Sequence, residues 1–410
     1  MIRERQLGTL SYADGQTQLL DIPRDAVFHL LQFACHNGTL TTVGSGSTVT
    51  GPTLDTAFPF SLMRNIRLIR NGSDVVWQGS GAQLAKEHYY LNNRHPKARM
   101  FTTSSNVDTV LTGTFAGQTL PAVSNVIGEN LVNFVGAALQ TGSYTAVTNF
   151  SAQAELWLQM GLTGDNATAS LVDARKLATF QLEVTWASVS SILVAGIANV
   201  SNTISASFQL LSIDQDNVNV TDDFATFKRS ANTVANFPYG SGNQQVLLPR
   251  GNFWHGIIIS TRAYKALSTS MSLPENNVLG TIDNRINSNF SLRKVDFNQL
   301  QAKNASNNKG RDAVPGLAGG SPMGWAMIEY TSAMEAANEM IPSYVMDQFD
   351  LQLQLQGSAA ASNGATTAST NPVIDFLYQE VIPSVSVSSK APQGAFSGSI
   401  GRTSAKPYVK

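Results

Sequence analysis

The sequence predicts an all-β protein built from two similar units in tandem, each about the size of a β-sandwich. Phe180–Trp186 and Phe349–Leu355 both alternate strictly between apolar and polar residues, as a strand with one buried face does. The two segments lie 169 residues apart (349 − 180 = 169), and each closes a long stretch of short strand patterns and turn residues. We expect their apolar side chains to lie in two cores: Phe180, Leu182, Val184 and Trp186 in the first, and Phe349, Leu351, Leu353 and Leu355 in the second.

The first unit contains a strand over residues 27–34 and a predicted hairpin. A strand pattern over residues 60–70 is followed by Asn71-Gly72, which is typical of tight hairpin turns, and by a short apolar strand that ends at Trp77. Residues 81–92 place Leu84, His88 and Leu91 at helical spacing. We predict one helical turn over residues 173–178, directly before the Phe180 strand.

The second unit is predicted to open with the alternating residues 206–210 and to continue with an apolar strand over residues 256–259. Residues 263–268 predict a short helix, and the polar, Gly- and Asn-rich residues 301–322 predict an exposed loop. Ser332 and Glu335 form a capping-box pattern for a helix that ends near Met340. Both units would therefore end with a short helix followed by a long alternating strand.

These patterns divide the chain into four parts: an N-terminal arm (1–24), a first unit (25–200), a second unit (201–358) and a C-terminal extension (359–410). The extension begins with a low-complexity linker and offers one more strand pattern over residues 373–383. Beyond it the tail has no acidic residue and four basic ones. These bases are Lys390, Arg402, Lys406 and Lys410.

The composition suggests a protein that packs much of its surface against copies of itself. Only 13% of the 410 residues are charged, about half the usual share, while 42% are hydrophobic. A secreted or halotolerant protein with a Ser/Thr-rich exterior is the alternative interpretation. The net charge of −1 provides no overall field to concentrate nucleic acid, so we expect no sequence-specific nucleic acid binding.

The sequence shows no feature of secretion or membrane insertion. Cys35 is the only cysteine, which rules out an intramolecular disulfide and suggests a small buried apolar residue. The first residues lack the apolar segment of a signal peptide, and no run of about 18 apolar residues occurs. We therefore expect a protein made and kept in a reducing cytoplasm.

We find no pattern of catalytic, cofactor-binding or metal-binding residues. His29 and His36 are seven residues apart, as are His88 and His95, a spacing too long for two ligands of one zinc ion. Residues 79–84 imitate a dinucleotide-binding glycine motif but lack its third glycine and its βαβ context. Acids such as Glu155 lie on the polar faces of strands, where solvent contact is the simpler interpretation. We predict no catalytic residue, no metal and no cofactor.

Aromatic and basic residues leave two binding roles open. Tryptophans at positions 77, 157, 186, 254 and 325 could stack on sugars, although each lies within a strand pattern, where packing is the more common use. The basic tail could contact nucleic acid or anionic lipid on an inner surface, or it could hold a neighbouring subunit.

The chain resembles the double jelly-roll major capsid proteins of tailless, membrane-containing phages, the lineage that includes adenovirus hexon. The resemblance covers most of residues 22–358. Four segments show the resemblance: the strand-turn sequence at 60–73, residues 170–186, Leu248-Pro-Arg-Gly251 before the apolar strand 256–259, and residues 324–340 before the Phe349 strand. It implies two eight-stranded jelly rolls with a few short helices, and loops such as 98–150 and 301–322 as outer towers.

The resemblance also implies a function. Three copies would form a pseudo-hexagonal capsomer that tiles an icosahedral virion shell, assembled in the host cytoplasm. Penton or minor capsid proteins would be partners, and an internal lipid membrane is a further candidate. The terminal arms would point inwards or hold neighbours together. Two alternatives remain: a carbohydrate-binding or receptor-binding jelly roll, favoured by exposed Trp or Tyr on one face, and a jelly-roll glycosidase or lyase, which needs carboxylates in a cleft.

Overall fold

The structure is a computed structural model. It describes residues 2–44, 53–54, 57–92, 96–104, 114–115, 118–119, 126–127, 144–158, 171–195, 200–216, 225–234, 243–262, 276, 278–287, 290–307, 324–330, 341–355 and 373–383. The strands are β1 (Ile2–Ser11), β2 (Thr17–Asp21), β3 (Val27–Gly44), β4 (Thr53–Leu54), β5 (Met63–Arg70), β6 (Asp74–Gly79), β7 (Lys97–Ser104), β8 (Thr114–Phe115), β9 (Gln118–Thr119), β10 (Val126–Ile127), β11 (Tyr144–Trp157), β12 (Val172–Asp173), β13 (Phe180–Trp186), β14 (Leu193–Ala195), β15 (Val200–Ser205), β16 (Ser207–Gln215), β17 (Ala225–Val234), β18 (Asn243–Leu247), β19 (Phe253–Arg262), β20 (Leu279–Ile286), β21 (Phe290–Asp296), β22 (Trp325–Glu329), β23 (Ile341–Pro342), β24 (Phe349–Leu355) and β25 (Val373–Pro383). The helices are α1 (Gly81–Asn92) and α2 (Phe297–Asn307), and 3-10 turns cover Phe60–Leu62, Ala174–Lys176, Val189–Ile192 and Ser343–Val345.

The first unit, here called the first barrel, is an eight-stranded jelly roll. The jelly-roll strands of one sheet have the order β1-β16-β3-β11, which β7 and β10 extend beyond β11 and to which β12 and β15 add on β3; those of the other sheet have the order β2-β13-β5-β6. The last strand, β16, returns to lie between β1 and β3 with antiparallel pairing on both sides. This return closes the sheet in the way that defines a jelly roll.

The second unit, here called the second barrel, repeats this arrangement. Its sheets have the orders β17-β25-β19-β22 and β18-β24-β20-β21, with the last strand β25 between β17 and β19. The all-β, double jelly-roll prediction is therefore confirmed. Each barrel has its own core: Phe180, Leu182, Val184 and Trp186 lie in the first, and Phe349, Leu351, Leu353 and Leu355 lie in the second.

The repeat extends to the register of individual residues. The segment β12, 3-10 turn, β13 and the segment β23, 3-10 turn, β24 are offset by the same 169 positions throughout (341 − 172 = 169 and 349 − 180 = 169). The hairpin β5–β6 with α1 and the hairpin β20–β21 with α2 share an offset of 216 (279 − 63 = 216 and 297 − 81 = 216). Even the bulge in the hairpin recurs, after Leu68 in one copy and after Asn284 in the other.

The predicted hairpin and its turn are present. Asn71 and Gly72 both have positive φ, of 49° and 77°, which matches the twist of the flanking strands. The Asn71 backbone N–H donates to the carbonyl of Thr179, and the equivalent Asn287 donates to that of Gln348. The α1 helix also has the bounds that its apolar spacing predicts.

Three segment assignments from the sequence are wrong. Residues 1–24, assigned to an arm, form β1 and β2 of the first barrel, and β16, assigned to the second unit, belongs to the first. Residues 373–383, assigned to the extension, form β25 inside the second barrel. In each case a strand pairs with distant partners, which spacing along the chain does not reveal.

The predicted loops are also shorter than expected. Residues 301–307 continue α2, because Phe297, Leu300 and Asn304 provide a buried helical face and the Asp296 carboxylate accepts the N–H of Asn298 at the helix start. Within 98–150, strands β7 and β11 pair along most of their length. The predicted helix over 173–178 is the 3-10 turn Ala174–Lys176. The helices predicted over 263–268 and 332–340 lie outside the described residues, as does the basic tail.

Candidate assembly site at the junction of the two barrels

The two barrels are joined by a short parallel pairing of β6 with β17. Trp77 lies opposite Arg229, and Gln78 lies opposite Ser230. Through this pairing, one sheet of the first barrel continues into one sheet of the second. We call the region around this pairing the junction.

Helix α1 lies in the junction and is buried on nearly every side. Leu84 and Ala85 pack into the core of the first barrel, while Tyr89 and Tyr90 pack on a sheet of the second. The residues of that sheet are Ile258, Trp325, Met327 and Leu377. Because the helix contributes to both packing surfaces, it fixes one barrel against the other.

Local sequence explains why the helix begins where it does. The Ser80 hydroxyl accepts the backbone N–H of Gln83 at 3.2 Å, and the Gln83 side-chain oxygen accepts the N–H of Ser80 at 2.8 Å. This is a reciprocal capping box, a signal present in the sequence at residues 80–83. A Cβ on Gly81 would lie 2.0 Å from the carbonyl oxygen of Phe60, so this position requires glycine. Residues 79–84, which imitate a dinucleotide-binding glycine motif, therefore form the start of helix α1.

A buried ion pair occupies the centre of the junction. The Nε atom of Arg229 lies 3.3 Å from Oε1 of Glu87, and both side chains are at most 2% exposed. Glu87 also accepts hydrogen bonds from the Trp77 indole at 2.7 Å and from the Gln379 amide at 3.1 Å. The guanidinium donates to the carbonyls of Phe227 and Trp157 and lies 4.3 Å over the Phe227 ring. These contacts come from both barrels.

His255 lies beside this pair in a neutral state. Burial is the main cause that lowers its pKa, to about 4, and the Arg229 charge acts in the same direction. Its Nδ1 atom is 3.3 Å from Oε1 of Gln379, a hydrogen bond that partly opposes the shift. Its ring also packs 5.2 Å from the ring of Phe227. Protonation of His255 would place a second positive charge beside Arg229.

A second charged cluster holds strand β1 to the first barrel. The fully buried carboxylate of Asp214 accepts from Nε of Arg3 at 2.6 Å, from Nε of Arg5 at 2.7 Å and from the Ser212 hydroxyl at 2.6 Å. Arg5 also donates twice to Asp25, and these hydrogen bonds are the largest cause of a lowered pKa of that carboxyl. The sequence interpretation missed this cluster because it searched for apolar inward-facing residues.

The repeat also contains a pair of equivalent arginines. Arg24 follows Pro23 and donates to the carbonyls of Leu177 and Ala178 in the first barrel. Arg250 follows Pro249 and donates to the carbonyls of Met346 and Asp347 in the second. Each guanidinium therefore binds the turn that precedes the long alternating strand of its barrel. A shared Pro-Arg pair was the signal in the sequence.

Candidate ligand-binding residues are mostly inside the protein. Four of the five tryptophans are buried (Trp77, Trp186, Trp254 and Trp325), and Trp157 is half-buried with its indole donating to Glu155. These positions do not form an exposed aromatic face. Among the described residues, no group of three His, Cys, Asp or Glu side chains could hold a metal ion. His88 is buried, His29 half-buried and His36 exposed, whereas His95 lies outside the described residues.

The remaining sequence expectations concern Cys35, membrane-spanning helices and the basic tail. Cys35 is buried, and desolvation raises the pKa of its thiol. Neither described helix combines the length and the apolar character needed to cross a membrane. The tail residues Lys390, Arg402, Lys406 and Lys410 lie outside the described residues, so their contacts stay a prediction.

Comparison with solved structures identifies the architecture. The crystal structure of the STIV major capsid protein matches with a TM-score of 0.57 and 17% identity over 95% of this chain and 99% of that one. The chain has the double jelly-roll fold of viral major capsid proteins. A chain from the atomic structure of Sulfolobus turreted icosahedral virus matches with a TM-score of 0.63, at 16% identity over 97% of this chain and 96% of that one.

A third match comes from a bacteriophage. The major capsid protein P2 of bacteriophage PM2 gives a TM-score of 0.50 and 8% identity over 94% of this chain and 99% of that one. No protein-family model and no curated protein sequence matches the chain. The similarity therefore lies in both barrels and their arrangement and not in close sequence identity.

Proposed function

We propose that this chain is a structural major capsid protein of a virion. The observation that carries the proposal is the near-complete match of the two-barrel chain to viral major capsid proteins, over 99% of the length of the STIV protein. The junction supports it, because a shell subunit must present its two lobes at a fixed angle. Function of this kind depends on shape and contact area, so no catalytic residue or cofactor belongs to the proposal.

The proposal includes the manner of assembly. Three copies would form a pseudo-hexagonal capsomer, since each chain supplies two similar lobes, and capsomers would tile an icosahedral shell. Penton or minor capsid proteins would fill the remaining positions. The basic tail would lie on the inner surface, where an internal membrane is a candidate partner. Assembly would take place in the host cytoplasm.

The native mass of the purified protein tests the proposal first. Light scattering after size exclusion should give a mass of about 130 kDa, three times 43.9 kDa, that persists on dilution. Electron microscopy of concentrated or co-expressed material should then show shells or flat hexagonal arrays. A stable monomer at every concentration would contradict the capsomer proposal and return attention to a binding role for a single two-barrel molecule.

A further inference from the structure

Two free strand edges correspond, by the internal repeat, to the two edges that form the junction. Strand β1 pairs only with β16, and β21 pairs only with β20, among the described strands. Their counterparts in the other barrel are β17 and β6, which pair with each other in parallel. Each chain therefore carries one complete junction and the two unmatched halves of a second one.

The residue equivalences follow from strand pairing. In the first barrel Ile2 lies opposite Gln215, which lies opposite Val27; in the second, Phe227 lies opposite Val381, which lies opposite Phe253. Residues of β1 therefore correspond to residues of β17 at an offset of 225 (227 − 2 = 225). By this alignment Glu4 occupies the position of Arg229.

The two helices align equally well. Helix α1 follows the hairpin β5–β6, helix α2 follows the hairpin β20–β21, and the first residues of the two helices have the same offset of 216 as the hairpins (297 − 81 = 216). His88 accepts the backbone N–H of Glu155 in the first barrel, and Asn304 at the matching position accepts that of Met327 in the second. By this alignment Lys303 occupies the position of Glu87.

The ion pair of the junction thus recurs with its charges exchanged. Arg229 on a strand and Glu87 on a helix form the buried pair, whereas the matching positions hold Glu4 on a strand and Lys303 on a helix. Glu4 and Lys303 are exposed, and neither forms an ion pair with any described residue of the chain. Opposite charges at both free edges are complementary across two copies.

Apolar residues at the free edges support the same correspondence. Ile2 is 61% exposed, whereas its counterpart Phe227 is 3% exposed within the junction. Phe290 and Leu292 on β21 are also exposed, which is unusual for an edge strand unless another chain covers it. In the register of the junction, Glu4 would lie opposite Arg293, the counterpart of Trp77.

We propose that β1 of one copy docks along β21 and α2 of the next copy, with Glu4 paired to Lys303 of that copy. The contact would reproduce the junction between chains, bury Ile2 and place Glu4 near Arg293 as well. Because the two edges differ, the interface is head-to-tail and closes into a ring only after a fixed number of copies. This inference rests on the proposed capsomer and names the surface through which its subunits meet.

Reversing the charge of each residue in turn, and then of both, tests the proposed pair of Glu4 and Lys303 between copies. Glu4→Lys and Lys303→Glu should each raise the protein concentration needed for half-maximal trimer by about tenfold or more, and the double variant should return to within about threefold of wild type. Trimer fraction would be measured by light scattering across a dilution series in a fixed urea concentration at which the wild-type trimer partly dissociates, with thermal unfolding to check each fold. Matched charge reversals at exposed residues away from both edges, Arg64→Glu and Asp347→Lys, should leave the trimer unchanged.

A second measurement uses the unmodified protein. A zero-length carbodiimide joins a carboxylate to an amine only when the two groups are in contact, so treatment of the trimer should yield peptides linking Glu4 to Lys303 in species of doubled chain mass. Wild-type trimers that lack this link and are unaffected by either single variant would overturn the inference while leaving the capsomer proposal in place. Failure of the double variant to recover would also overturn it. A monomeric wild-type protein would overturn both.

Discussion

The Arg229–Glu87 pair is a fully buried ionic contact between the two barrels. Removing two charges from water costs several kcal/mol each, and Trp77, Gln379 and two backbone carbonyls offset part of this cost by hydrogen bonding to the carboxylate and to the terminal nitrogens of the guanidinium. The sequence did not predict the pair, since Arg229 lies in a strand pattern of mixed polarity. Burial of a charge depends on what packs against it, and those partners lie far away in the chain.

Removal of one partner of this pair should destabilise the protein strongly. Arg229→Met leaves the Glu87 carboxylate buried without its cation, and we expect a loss of about 3–5 kcal/mol in the free energy of unfolding measured in urea. Arg229→Met with Glu87→Gln should recover at least half of that loss. The control Arg67→Met removes an ion pair with Glu183 that is partly exposed to solvent, and should cost less than about 1 kcal/mol. Equal losses for the two single variants would contradict this account.

His255 should make the fold sensitive to mild acid. Its pKa is about 4 in the folded protein and 6.5 as the reference value, so the unfolded chain binds the proton more readily. The stabilising contribution is complete above pH 6.5 and is lost as the pH falls to about 4, a change of about 3 kcal/mol. The raised pKa of Glu380, caused mainly by burial, acts in the opposite direction. The contribution of His255 is therefore measured as the difference in unfolding free energy between wild type and a variant without the histidine.

His255→Gln should reduce the loss of stability between pH 6.5 and pH 4, because an amide does not titrate and can still donate to Gln379. Unfolding free energies of wild type and variant would be compared across this range. The exposed His36→Gln variant serves as the matched control and should follow wild type. Parallel pH curves for wild type and His255→Gln would show that the histidine is not a source of the acid sensitivity.

Strand β1 is the element where the sequence interpretation failed most clearly, and the reason is physical. Its inward-facing positions hold Arg3 and Arg5, and the outward-facing Glu4 and Gln6 are polar as well, so the apolar/polar alternation that marks a half-buried strand is missing from this part of β1. The arginines are tolerated there because Asp214 and Asp25 neutralise them. By contrast, the hairpin at Asn71 was predictable, since a local turn signal and apolar alternation agreed.

Loss of the Asp214 carboxylate should loosen β1 selectively. Asp214→Asn leaves two arginines without their buried partner, and we expect hydrogen exchange of the β1 amides to accelerate by about a hundredfold or more, equivalent to about 3 kcal/mol. Exchange in β24 of the other barrel should change far less. The control Asp74→Asn affects a partly exposed pair with Arg70 and should have little effect. Uniform acceleration across both barrels would instead indicate global destabilisation.

At the scale of the whole molecule, the 169-residue repeat predicted two barrels correctly, but not their limits. Strands β16 and β25 complete the barrels by returning between earlier strands. The low-complexity sequence before β25 looks like a boundary, and β16 lies beyond the limit at residue 200 that the repeat suggested. A linear pattern cannot show which distant edge a strand will join. The junction was missed for the same reason, because β6 and β17 are separated by most of the first barrel.

The basic tail should act in shell formation and not in the capsomer. Truncation of residues 388–410 removes Lys390, Arg402, Lys406 and Lys410 but no described strand. We expect the light-scattering mass of the trimer to stay the same while the yield of shells in electron micrographs falls severalfold. Neutral replacement of the four bases with Gln is the matched control for length. Loss of trimers in the truncated protein would place the tail within the capsomer.

The changing offset between the two barrels also has a practical consequence for engineering. Helices α1 and α2 are 216 positions apart, whereas Glu155 and its counterpart Met327 are only 172 apart (327 − 155 = 172), so the first barrel carries 44 more residues between helix and strand (216 − 172 = 44). The same barrel thus accommodates very different lengths there. We therefore expect the fold to tolerate an inserted peptide in that connection better than next to Arg24 or Arg250, whose guanidiniums bind the turns before the long strands.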